Sequence, residues 1–261
     1  MSYRFLKGHG TENDFVVLPD PDGTVHGELT PERVRTLCDR RAGIGADGVL
    51  RAVRRDDGWF MDYRNSDGSV SEMCGNGVRV FARYLRDHEG EQLPVDIQTR
   101  AGVKTVREGA GVFTVDMGEP EVLDRTRVGV EGRAWDALHV SMGNPHAVAF
   151  VDDLADAGSL EEEPDFDAQV YPEGVNVEFV VRRGEHHVAM RVHERGSGET
   201  RSCGTGACAV MVAAALADDA PRNTPYTVDV PGGTLTITWT EDGRVMMTGA
   251  AELVAEGTTD L

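Results

Sequence analysis

The chain is poor in lysine. Only Lys7 and Lys104 are lysines among its 26 basic residues. Neither lies in a phosphate-binding setting, so a Schiff-base cofactor such as pyridoxal phosphate has no lysine prepared for it. Positive charge is short altogether, because 26 Lys and Arg against 45 Asp and Glu leave a formal net charge of −19. Nucleic acids and anionic membranes both select basic patches, so neither is an expected partner. Long hydrophobic runs are also missing. The longest, Ala207 to Ala217, is too short for a bilayer and fits a buried helix, and the opening Met-Ser-Tyr-Arg-Phe-Leu-Lys-Gly lacks a signal-peptide core. The cysteines are Cys38, Cys74, Cys203 and Cys208, too few and too scattered for a disulfide scaffold. The expectation is a cytoplasmic protein with reduced thiols. No metal is expected either: His186 and His187 point to opposite faces of a strand, and Cys203 and Cys208, five apart, share no helix face.

What is present is a doubled motif. Met73-Cys74-Gly75-Asn76-Gly77-Val78-Arg79 and Ser202-Cys203-Gly204-Thr205-Gly206-Ala207-Cys208 both read Cys-Gly-X-Gly and run into an apolar, helix-favouring segment. A glycine-rich helix entry leaves backbone N–H groups pointing outward, where the helix dipole adds partial positive charge. A cysteine there should have its thiolate stabilised, and a bound carboxylate would be welcome.

The motif belongs to a longer repeat. Cys203 follows Cys74 by 129 positions, Asn144 follows Asn13 by 131, and Glu194 and Asn65 each precede their cysteine by nine. Around these landmarks the first half predicts strands at 3–7, 15–18, 49–53, 59–64, 95–99, 103–107 and 112–117. A helix should start at Thr30-Pro31-Glu32 and end at Gly43. The second half predicts strands at 138–142, 147–151, 175–181 and 187–193, with Arg182-Arg183-Gly184 as their turn, then others near Val228, at 235–240 and at 245–248. These elements describe an α/β (α+β) protein of two pseudo-symmetric lobes, each a mixed sheet or barrel wrapped round its cysteine-led helix. The expected lobes are 1–117, with 249–261 returning to it, and 118–248. The site is expected in the cleft between them. With 261 residues and 40% hydrophobic content, two such cores are affordable.

Two cysteines at equivalent places suggest acid–base chemistry. A free thiol is only a few per cent thiolate at neutral pH, but a helix N-terminus lowers its pKa. One thiolate and one thiol on opposite faces of a carbon acid would invert it, one removing the α-proton and the other delivering one. The N–H groups of Gly75, Asn76, Gly204 and Thr205 would receive the charge that develops on the adjacent carboxylate.

The chain resembles the diaminopimelate epimerase family along nearly its whole length. The resemblance is carried, in order, by Gly10-Thr11-Glu12-Asn13-Asp14-Phe15, Asn65-Ser66-Asp67-Gly68, Cys74-Gly75-Asn76-Gly77, Gly143-Asn144-Pro145-His146, Val175-Asn176-Val177, Glu194 to Thr200 and Cys203 to Ala207. It implies a cofactor-independent epimerase that converts LL-2,6-diaminoheptanedioate to the meso isomer in lysine biosynthesis, commonly as a homodimer. By family pattern Cys74 and Cys203 are the acid–base pair, tuned by His146 and Glu194. Asn13, Asn65, Asn144, Asn176, Glu194 and Arg195 hold the substrate, and Gly75, Asn76, Gly204 and Thr205 bind the reacting carboxylate. One departure is Gly48 after Asp47, where many members carry glutamine, so that contact is not carried over.

Other readings remain beside this one. A proline or hydroxyproline racemase uses two cysteines on the same fold. A thiol redox protein would pair Cys74 with Cys203, although it lacks a Cys-x-x-Cys motif. A non-catalytic amino-acid-binding protein would not need the thiols. Cys38, Cys208, Met190 and Met211 are read as core, Glu161 to Glu163 as a solvated face. The four asparagines could each serve as turn residues.

Overall fold

The computed structural model describes residues 2–261. The elements, in order, are β1 (Tyr3–Gly10), β2 (Asn13–Pro19), α1 (Pro31–Cys38), β3 (Gly48–Arg55), β4 (Gly58–Asn65), α2 (Gly75–His88), β5 (Val95–Thr99), β6 (Gly102–Gly109) and β7 (Val112–Asp116). After these come β8 (Glu121–Val130), β9 (Arg133–Ser141), β10 (Pro145–Phe150), a 3-10 turn at Leu154–Ala157, β11 (Asp165–Phe166), β12 (Asn176–Gly184), β13 (His187–Glu194) and β14 (Gly198–Glu199). The chain ends with α3 (Gly204–Ala217), β15 (Pro225–Val230), β16 (Gly233–Trp239), β17 (Val245–Gly249) and β18 (Glu252–Thr259). Two compact units result: the chain up to Val115 together with Gly249–Leu261, and Asp116–Thr248.

In the first unit the strand order is β18-β1-β2-β3-β4-β5-β6-β7, antiparallel except at β2/β3 and β4/β5. In the second it is β8-β9-β10-β12-β13-β15-β16-β17, antiparallel except at β10/β12 and β13/β15. The same two parallel steps therefore fall at the same places. Each second parallel step encloses a cysteine-led helix: α2 packs against β1 to β6 and β18, and α3 against β9, β10, β12, β13, β15 and β16. Enclosure makes α3 apolar nearly all round, whereas α2 keeps a charged outer face at Arg83, Arg86, Asp87 and His88. Val78, Val80, Phe81 and Leu85 in α2 and Val210, Met211, Val212 and Ala214 in α3 are fully buried. Each such large side chain stabilises the fold by about 1.5–3 kcal/mol. Cys38, Cys208, Met190 and Met211 are likewise buried, while Glu161 to Glu163 are exposed.

The strand registers equate positions in the two units. Phe15 faces Gly48 and Val17 faces Leu50 across β2/β3, as His146 faces Asn176 and Val148 faces Glu178 across β10/β12. Gly48 then meets Asn65 across β3/β4. Residue 48 is thus the counterpart of Asn176. Its glycine is enforced here by packing, since a Cβ would come within 2.6 Å of the Arg64 carbonyl and 2.7 Å of the Tyr63 ring.

Three local expectations are corrected. Helix α1 ends at Cys38 and not at Gly43: Asp39 turns out of the helix at ψ 121° and its carboxylate takes the N–H groups of Arg41 and Ala42, both at 2.7 Å. Side-chain capping of this kind competes with helix propagation. The turn between β12 and β13 is made by Glu185 and His186, with His186 in the left-handed region at φ 50° and both strands longer than expected. Strand β8 has no counterpart among the expected elements. It is a largely exposed strand, its residues Glu121 to Arg125 all open to solvent, so it lacks a buried alternating face.

Candidate active site

Each cysteine of the repeat is the N-cap of its helix. Cys74 takes extended backbone angles (φ −137°, ψ 120°) and its Sγ accepts from the Gly77 N–H at 3.4 Å. Cys203 does the same (φ −111°, ψ 113°), accepting from the Gly206 N–H at 3.4 Å. The sulfur replaces the oxygen that usually caps a helix. The next backbone N–H groups are left at a positive helix end.

Around Cys74 the partners are amides and charges. A tight turn, with Thr11 and Glu12 both at positive φ (49° and 60°), closes β1 onto β2 and delivers Asn13. Non-glycine residues rarely adopt this conformation, and a β-branched one least of all. Asn13 Nδ2 donates to Asp47 Oδ2 at 2.8 Å, which turns Oδ1 inward to accept from Asn76 Nδ2 at 3.3 Å and from the Cys74 thiol at 3.5 Å. An amide oxygen only accepts, so this arrangement suits the S–H form of Cys74. Asn76 is held in turn by Arg79, whose Nη2 donates to its Oδ1 at 2.8 Å with both side chains fully buried. Asn65, at the end of β4, bonds Ser69 through its side chain at 3.0 Å.

Around Cys203 the partners form a chain. Its Sγ lies 3.5 Å from Thr205 Oγ1; Asn144 Nδ2 donates to that hydroxyl at 3.4 Å; Asn144 Oδ1 is 3.1 Å from His146 Nε2; and His146 Nδ1 is 2.6 Å from Glu178 Oε1. His146 and Glu178 are both wholly buried. Asn176 is tied down on both sides, its amide donating to the Pro145 carbonyl at 2.9 Å and accepting from the Arg195 N–H at 3.0 Å. The Arg195 guanidinium bonds the Glu173 carbonyl at 3.2 Å, and the Thr200 hydroxyl donates to the Glu194 carboxylate.

The expected thiolate stabilisation is only part of what acts on Cys203. Burial pushes its thiol pKa well up, the charges of Glu194 and Glu178 push it further, and the contacts from Thr205 and Gly206 pull against them without prevailing. Cys38, by contrast, has no helix-cap position; burial raises it to about 12 and leaves it an inert core thiol. Among the described residues no three His, Cys, Asp or Glu side chains are grouped to hold a metal ion.

Asn144, His146, Thr205 and Cys203 thus converge in one unit, and Asn13, Asn76 and Cys74 in the other. Of the other expected positions, Asn65 bonds Ser69, Asn176 bonds Pro145 and the Arg195 N–H, and the Arg195 guanidinium bonds Glu173. The sequence reading omitted Asp47, Arg79 and, above all, Glu178. Its only sequence signal is a lone acid within the otherwise apolar run Val177 to Val181, which a buried strand does not admit without a partner.

Comparison with known proteins gives the family and the fold. The family model described as diaminopimelate epimerase matches residues 5–123 and 138–254. A diaminopimelate epimerase of Streptomyces coelicolor is 58% identical, covering 98% of this chain and 95% of its own. One of Corynebacterium aurimucosum is 46% identical over 99% and 100%. Among solved structures, a phenazine biosynthesis protein of the PhzF family from Bacillus anthracis superposes with TM-score 0.76 at 16% identity, covering both chains fully. A hydroxyproline epimerase from Agrobacterium vitis gives 0.69 at 14%, over 99% of this chain and 92% of that one. At those identities the likeness is one of fold.

Proposed function

The chain belongs to the diaminopimelate epimerase family, and from that premise we propose that it interconverts LL- and meso-2,6-diaminoheptanedioate by proton exchange at one α-carbon. The observation that carries this is the repetition of one device, a cysteine capping a glycine-rich helix N-terminus, at the same point of two units with the same strand order. Inversion of a carbon acid needs a base on one face and an acid on the other, and two equivalent thiols supply both. One sulfur takes the α-proton as thiolate; the other, as thiol, returns one from the opposite side. The planar carbanion delocalises into its carboxylate, whose charge the N–H groups of Gly75, Asn76, Gly204 and Thr205 are proposed to receive. No cofactor takes part in this scheme.

Asn13, Asn65, Asn144, Asn176, Glu194 and Arg195 are proposed to hold the substrate, chiefly at its distal amino-acid end, with His146 and Glu194 adjusting the thiols. A second charged end is what distinguishes this substrate from proline. The enzyme is proposed to work in lysine biosynthesis, in the cytoplasm and as a homodimer; sedimentation at the monomer mass would remove the last point.

The test is incubation with LL-diaminopimelate in heavy water. Deuterium at one α-carbon with appearance of the meso isomer is the expected result. A folded protein that exchanges no proton, or that racemises proline instead, overturns the proposal.

A further inference from the structure

The half-sites are alike in backbone and unlike beneath the sulfur. The register positions held by Phe15 and Leu50 in the first unit are held by His146 and Glu178 in the second. The fold is therefore satisfied by two apolar side chains at this place. A buried ionisable pair generally costs stability relative to an apolar isostere, so packing alone does not account for His146 and Glu178.

We propose that Glu178 is a positioning residue for Cys203: it shares one proton with His146, which keeps His146 Nε2 a donor to Asn144 and turns the Thr205 hydroxyl proton onto the Cys203 sulfur. The inference rests on the proposed acid–base role of Cys203. The chain of contacts admits two polarities. With Nε2 protonated, it donates to Asn144 Oδ1, the Asn144 amide donates to Thr205 Oγ1, and the Thr205 O–H is free to donate to a thiolate. With Nε2 bare, the Asn144 amide turns over to donate to it, Thr205 donates to Asn144, and its oxygen accepts from a Cys203 thiol. The distances of 2.6, 3.1, 3.4 and 3.5 Å from Glu178 to Cys203 fit both, the last two contacts being the loose ones.

Burial selects the first polarity. With Nε2 bare and Nδ1 donating to an ionised Glu178 the pair carries a net negative charge, and a proton placed on Oε2 to cancel it would be buried without an acceptor. With Nε2 protonated and one proton shared between Nδ1 and Oε1 the pair is neutral, whichever partner holds it. Both side chains are fully buried, and Glu178 Oε2 finds no hydrogen-bonding partner among the described residues, which a full carboxylate charge would not tolerate. Burial correspondingly raises Glu178. The other titratable groups acting on the pair are the Glu194 carboxylate from β13, His139 from β9, Tyr171 and the Cys203 thiol itself. Glu194 adds to the selection, since its charge further disfavours a second one at Glu178. A neutral pair also withdraws one of the two carboxylate charges that oppose a Cys203 thiolate.

Histidine 15N spectra of the full chain decide the point, with His146→Gln identifying the signal. In the wild type His146 Nε2 is expected to carry a proton. Glu178→Leu, the residue of the other half-site, should release it to a mixture of tautomers. Glu178→Gln should keep it protonated, because the glutamine amide donates to Nδ1. Glu178→Leu should lower kcat at least about tenfold with KM little changed, and Glu178→Gln should restore most of it. Thr205→Val cuts the far end, so adding Glu178→Leu to it should cost nothing more. An unprotonated Nε2 in the wild type, or additive losses in the double variant, overturns the proposal. If Glu178→Leu does not fold, the wild-type and Glu178→Gln spectra still decide. If the wild type has no epimerase activity, the spectra judge the proton pair separately from the function.

Discussion

Gly77 and Gly206 occupy the same position in the two helix entries, yet an added methyl group meets different neighbours. At Gly77 a Cβ would lie 3.3 Å from Leu50 Cδ2 and 3.5 Å from Cys74 Cβ and Phe15 Cζ, contacts a small shift relieves. At Gly206 it would lie 2.6 Å from Glu178 Oε1 and 3.3 Å from Cys203 Sγ, and that carboxyl has no room to retreat without leaving His146. Gly206→Ala should therefore lose about 1–3 kcal/mol by overpacking and most of kcat. Gly77→Ala should lose less of both, aided by the better helix propensity of alanine. Urea denaturation and initial rates on the two variants test this, and equal losses would refute the difference drawn between the half-sites. At the sulfurs themselves, Cys74→Ser and Cys203→Ser should each lower steady-state epimerisation by roughly 10²–10⁴-fold without unfolding the protein. Retained turnover in either variant removes that cysteine from the proton path.

Elements were legible where their signals are local. Thr30-Pro31-Glu32 starts α1 as expected, with Thr30 Oγ1 accepting from the Arg33 N–H at 3.3 Å. Asp56-Asp57-Gly58 marks the β3/β4 hairpin, and both Cys-Gly-X-Gly entries start helices. Features set by distant packing were not legible. Strand β8 exists because β9 offers it an edge, not because its own sequence alternates. Glu178 is buried among strands, and nothing nearby in the chain announces its histidine 32 residues upstream. The site is split in the same manner: Cys203, Thr205 and the Asn144–His146 pair were readable from two short motifs, but their connection through Glu178 required the β10/β12 register. The cap offers a clean test of a local signal. Thr30→Ala should cost about 1 kcal/mol and Thr30→Asp should recover it, read as the urea midpoint at constant slope. An unchanged midpoint would mean that α1 is held by its buried Val34 and Leu37 alone.

On the scale of the whole molecule, the acidic composition makes pH a test of stability. Asp14 is held at about 2: burial alone would raise it, but hydrogen bonds from Arg40 and Lys7 outweigh that. Its contribution is present above the unfolded value of 3.8 and is lost as pH falls through about 2. His26 titrates higher. It is only 5% exposed, with Arg33 Nη2 3.2 Å from its Nδ1 and the Tyr3 ring set edge-on against it. Burial first, then the Arg33 charge, lowers it from 6.5 to about 4. Between those values the unfolded chain binds a proton that the folded one refuses, so folding stability rises with pH across the window and is lost as pH falls. At about 1.4 kcal/mol per unit the full effect is roughly 3 kcal/mol. Easing of the −19 net charge on acidification works in the opposite direction, through reduced self-repulsion. The wild type should therefore weaken between pH 6.5 and 4, and again below pH 4 as Asp14 is protonated. His26→Gln should flatten the first stage and leave the second. Urea midpoints measured every half unit from pH 7 to pH 3 distinguish the outcomes; a variant whose curve runs parallel to the wild type between pH 4 and 6.5 would show that His26 is not the group being titrated.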